Sequence, residues 1–217
     1  MYLFFRRACL CILFFSFSSA QAIDLSAFPP CDVQACQSVA EVKTWPEVDS
    51  MLLKNMRRVE FHGFDVFVPV GAVETRSNYS FRQFDIGQKR WFSLSVFKRD
   101  DMDEFFKAST YSMGDWADIV FTQTPDSAVP KIDTQAYAWY SSLMTKPVFV
   151  GGNMVTQYIK PPLTVYLIDE VHRENDVLMV VSDKLPNVLL KVEAYGFDRP
   201  SVMRFISALS PPHGKKH

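Results

Sequence analysis

The densest group of side chains able to do chemistry is Asp169-Glu170-Val171-His172-Arg173-Glu174. On an extended strand Glu170, His172 and Glu174 point to one side. Two carboxylates and an imidazole are a set that could hold a metal ion or run acid–base catalysis. A plainer reading competes with it: a solvated strand end running into a turn at Asn175-Asp176, where polar residues are the rule. The sequence favours the plainer reading, so no catalytic residue is assigned and Glu170, His172 and Glu174 remain as candidates only.

A second group is aromatic. Trp116, Tyr137, Trp139 and Tyr140 fall in or near a stretch rich in loop residues. Aromatic side chains there could line a ligand groove or form a partner surface. Against this, Tyr137 and Tyr140 could simply be the inner face of a helix over 134–143.

Other motifs are incomplete. Asp100, Asp101, Asp103 and Glu104 lack the glycine and distal glutamate of a calcium loop, and fit a helix N-terminus instead. Gly151-Gly152-Asn153 has no following Lys-Ser/Thr, so it reads as a turn between two strands rather than a phosphate loop. No G-x-S-x-G occurs. Of the four histidines, His213 and His217 lie at the C-terminal end, and His62 sits beside a turn glycine. No metal or cofactor is expected from these residues. Asn78-Tyr79-Ser80 matches the N-glycosylation sequon, which matters only in a eukaryotic secretory route.

The N-terminal residues bear on compartment. Arg6 and Arg7 precede an apolar run, Leu10 to Phe17, and Ser18-Ser19-Ala20-Gln21-Ala22 ends in an A-x-A pattern. That is the layout of a cleavable signal, with cleavage expected after Ala22. The apolar run is far short of the ~20 residues that span a bilayer. Cleavage would remove Cys9 and Cys11 and leave Cys31 and Cys36. In an oxidising compartment this pair is most simply a disulfide, and its C-x4-C spacing departs from the C-x-x-C of redox motifs. Export to the periplasm or beyond is therefore expected, with no stable membrane span after cleavage.

These residues must be positioned by a framework. The chain has 217 residues, 48% of them hydrophobic, and a formal charge of −1. Such a balance carries no electrostatic footprint for nucleic acid. Residues 23–57 read as an extended arm and a short helix at 47–56. Period-two patterning begins at Val59 and predicts a hairpin about Gly63, then strands over 79–86 and 91–97. A helix follows at 100–112. Residues 113–131 read as loop, with a short strand at 119–122. Strands are predicted at 153–159, 163–171, 177–181 and 188–194, then a closing helix capped by Asp198 with Pro200 in its first turn. Residues 58–209 are taken as one α+β domain and 210–217 as a disordered tail.

This element order resembles the PsbP/Mog1-like fold: an early hairpin, a strand feeding a helix at 91–112, meander strands, and a helix at 198–209. The resemblance spans roughly residues 58–209 and rests on order, not on a signature motif. It implies a mostly antiparallel sheet flanked by helices, in a module that binds or assembles rather than catalyses. No site residue carries over. The expected function is thus an exported, non-catalytic module that binds another exported protein, in the manner of an immunity or accessory protein. The alternatives are a hydrolase or metal-dependent enzyme using Glu170, His172 and Glu174, and a small-ligand module with a pocket near 113–140.

Overall fold

Alternation with period two builds most of the chain. In the computed structural model, residue 31 and residues 33–47, 54–169 and 175–210 are described. The proposed signal (1–22), the centre of the expected 47–56 helix and the Glu170–Glu174 cluster lie outside them, as do residues 211–217. Eight strands among the described residues form one sheet, in the order β1-β7-β8-β9-β10-β6-β5-β4. Their ranges are β1 Glu41–Lys43, β4 Val73–Ser77, β5 Phe81–Gly87, β6 Arg90–Lys98, β7 Met154–Lys160, β8 Leu163–Asp169, β9 Asn175–Ser182 and β10 Val188–Tyr195. All neighbours are antiparallel except β1 and β7. With its helices this is the expected α+β class.

Each face of the sheet has its own core. On one face Phe92, Leu94, Leu178, Val180, Leu190, Val192 and Ala194 pack with the closing helix Arg199–Ala208 and a separate hairpin. On the other, Tyr166, Ile168, Val177, Met179 and Leu189 pack with Phe106, Trp116, Val120 and Phe121. The central strands β8 and β9 are covered on both sides. That is why Val177 to Val181 is an unbroken apolar run, whereas the one-sided strand β6 alternates.

The separate hairpin joins β2 Met56–Phe61 to β3 Phe64–Pro69. Its turn is His62-Gly63, with φ of 50° and 87°. A two-residue loop with both residues left-handed matches the natural twist of the strands. Past the closing helix, Ser210 makes an antiparallel bridge to Asp65, so the start of the expected tail belongs to the fold.

Several elements differ from the sequence reading. Residues 113–122 are a helix, Met113–Thr122, not loop and strand. Ser112 caps it: its hydroxyl accepts from the Asp115 N–H, and the Asp115 carboxylate accepts from the Ser112 N–H. This reciprocal pair satisfies two donors that an uncapped helix would leave bare. The expected helix at 100–112 is a 3-10 turn, Arg99–Asp101, followed by a short helix, Glu104–Ala108, that Asp103 caps. The helix expected over 134–143 runs from Asp133 to Val150, through Pro147, and ends where Gly151 turns left-handed. Gly151-Gly152 is therefore a helix-to-strand turn. Asn175 and Asp176 are not a turn but the first residues of β9, and Met56 begins β2 rather than ending a helix.

The N-terminal arm carries a helical turn, Gln34–Gln37, that includes Cys36 of the Cys31–Cys36 disulfide, whose Cα atoms are 5.8 Å apart. It is fastened to the helical face by the Ala40 N–H, which donates to the Phe121 carbonyl. No helix among the described residues is long and apolar enough to cross a membrane.

Candidate functional site

A cavity lies on the hairpin face, between the hairpin, the sheet and the closing helix. Its volume is about 330 Å³. Register explains where it opens. The Asp65–Ser210 bridge ties down the hairpin near its turn. The other end, where Met56 pairs with Pro69, lines the cavity together with Phe67. The hairpin is thus anchored at one end and leaves a cleft at the other.

The floor comes from alternation in β6, β9 and β10. Phe92 pairs with Ala194, and Leu178 with Val192, all on the same sheet face. The small Ala194 side chain opposite Phe92 leaves room above the sheet. Val202 and Phe205 of the closing helix form the far wall. Arg90 and Arg204 are the ionisable side chains lining the cleft; among the described residues, no Asp or Glu lines it.

Arg90 is placed by the chain around it. It is the first residue of β6, after a turn whose Gln88 and Lys89 have φ of 54° and 60°. It shares the parity of Phe92 and Leu94, so it faces the hairpin side. Gly196 comes so close that a Cβ there would lie 3.0 Å from the Lys89 carbonyl oxygen and 3.2 Å from Arg90 Cγ. With its φ of 73°, only glycine suits that position. The next residue, Phe197, lies 6.0 Å from the Arg90 guanidinium carbon. Arg90 Nη2 donates to Gln88 Oε1, while its Nε–H is buried with no acceptor. Arg204 Nη2 donates to Ser201 Oγ at 2.6 Å, and the exposed Asp198 carboxylate feels its charge.

The residues singled out in the sequence lie elsewhere. Trp116 and Trp139 are 2% and 1% exposed and belong to the helical core, not to a groove surface. Tyr137 stacks on Phe105, and Tyr140 packs edge-on against Trp139, both half-buried. The structure brings Trp139, Tyr140 and Ile119 together, but Trp116 packs instead with Phe149 and Phe121. Glu170, His172 and Glu174 lie outside the described residues. Among the described residues, no cluster of His, Cys, Asp or Glu is arranged to hold a metal. His62 is held at its turn, where Nε2 meets the Tyr79 carbonyl oxygen at 2.6 Å.

A smaller cleft of about 170 Å³ does occur near 113–140, walled by Tyr111, Asp115, Asp118, Gln123 and Trp139. Several of its polar groups are engaged in internal hydrogen bonds. Gln123 Oε1 accepts from Trp139 Nε1, Gln123 Nε2 donates to Asp118, and the Gln123 carbonyl accepts from Lys146 Nζ at 2.5 Å. Lys146 is fully buried, and that burial pushes its ammonium down to about 8. Burial, and then the Asp118 charge, push the nearby Tyr166 phenol well up.

Sequence reasoning missed the larger cleft, although one signal was present. Arg90 has the parity of three core residues, Phe92, Leu94 and Val96, and a charged residue on a core-facing row calls for an explanation. No known family model matches the chain, and no curated protein matches it.

Proposed function

We propose that this protein is a non-catalytic binding module, exported from the cytosol, whose hairpin-side cleft takes a small, largely apolar ligand. One observation carries the reading: a cavity of about 330 Å³ walled by Met56, Phe67, Phe92, Leu178, Val192 and Phe205, with a few polar groups at its edge. Small-molecule sites have this character, with volumes of about 300–1,000 Å³ and few, placed polar groups. Export is supported by the arginine-led apolar run and A-x-A pattern of residues 1–22, and agrees with the Cys31–Cys36 pair. Trp116 and Trp139, two of the aromatic residues read as a possible ligand groove or partner surface, are packed inside, and the hairpin-side cleft supports a small ligand instead.

The test is titration of the protein with a neutral environment-sensitive probe such as N-phenyl-1-naphthylamine. Saturable one-to-one binding is expected in the wild type. Ala194→Phe fills the floor of the cleft and should weaken binding about tenfold or more, with the fold retained by circular dichroism. Probe binding of equal strength in both proteins would remove the cleft as the site.

A further inference from the structure

We infer that the ligand of the hairpin-side cleft is an apolar monocarboxylate, a chain or ring with one acid group, received by Arg90 and Arg204. The inference rests on the reading of the cleft as a ligand site and goes on to its chemistry. Around the floor the wall is apolar, so the body of the ligand must be apolar too. At its edge stand two guanidinium groups, and no carboxylate among the described residues lines the cleft to neutralise them.

The Arg90 Nε–H is the second observation. It is buried and has no acceptor, although the group is charged. Leaving a buried donor bare is unfavourable, and more so for a charged group. Three other arginines do find an acceptor for Nε: Arg58 Nε donates to Asp65, Arg82 Nε to Glu74 and Arg99 Nε to the Tyr111 carbonyl. Among the described residues, Arg90 is the arginine whose Nε is buried without an acceptor, and it is held beside the cleft by Gly196 and Phe197. A ligand carboxylate would supply the missing acceptor, in the charge-assisted geometry that guanidinium groups favour. Arg204 bonds to the Ser201 hydroxyl, acts on the exposed Asp198 carboxylate and lines the same cleft, where it can share the anion. A carboxylate fits better than a phosphate. It carries a single charge, and one buried Nε–H with one flanking arginine matches a two-oxygen head.

The experiment uses the full chain and the neutral probe in a displacement assay. The competitors are decanoate, decanol, decyl phosphate and decyltrimethylammonium, all with the same chain. Decanoate should displace the probe about tenfold more strongly than decanol, and the cation should be the weakest. Arg90→Met with Arg204→Met should abolish the preference for decanoate over decanol while leaving displacement by decanol in place. Equal displacement by decanoate and decanol in the wild type would overturn the inference and leave the apolar cleft standing. Stronger displacement by decyl phosphate would overturn the carboxylate assignment. Failure of the probe itself to bind would sink the cleft as a site, and the inference with it. The wild-type comparison needs no variant, so a misfolded double mutant would not blunt it.

Discussion

At the scale of single residues, Lys146 shows how burial sets behaviour. Its ordinary value of 10.5 is lowered to about 8 because the charged form is desolvated, with the Gln123 carbonyl as its hydrogen-bond acceptor. The folded value lies below the unfolded one. Between about pH 8 and 10.5 the unfolded chain therefore binds a proton that the folded chain does not, and stability rises with pH across that window. Above the ordinary tyrosine value of 10 an opposing trend sets in, because the Tyr166 phenol is held protonated by burial and ionises more readily when unfolded. At about 1.4 kcal/mol per unit, the Lys146 contribution has an upper bound on the order of 3 kcal/mol. Chemical denaturation at pH 7.5 and 9.5 should show the rise in the wild type and lose it in Lys146→Met. A rise of the same size in the variant would assign the effect to another group.

Elements were legible in the sequence where one signal spoke alone. The hairpin about Gly63, the strands of the last third, and the Asp198 cap with Pro200 all emerged from period and capping chemistry. The misses have physical causes. Gly114 and Pro125 suggested loop over 113–131, yet Ser112 and Asp115 had already written the start of a helix. The long helix continues past 143 through Pro147, although proline gives no N–H and clashes with the preceding turn. Packing of that helix against the Met113–Thr122 helix and the sheet overrides the penalty, and it ends only at Gly151. The cleft was hidden for another reason: it depends on how far the hairpin stands from the closing helix, and no local pattern encodes that distance. Ser112→Ala tests the capping argument. It should cost about 1 kcal/mol and lower Tm by about 2–4 °C. A Tm unchanged within error would mean that packing alone holds the helix.

For the molecule as a whole, the sheet separates two cores with different tasks. The helical side is filled, with Trp116, Trp139, Phe106 and Phe121 closing it and the Gln123 network spending its polar groups internally. The hairpin side is anchored by Asp65 and Ser210 at one end and left open at the other, where Arg90 and Arg204 stand. The proposed function belongs to the hairpin side. The most direct test follows the methyl groups by NMR during titration with decanoate. The account predicts shifts at Leu178, Val192, Ala194 and Val202, which line the cleft, and none at Ile119, which lines the smaller cleft on the helical side. Shifts centred on Ile119, or none at the four cleft methyls, would contradict it.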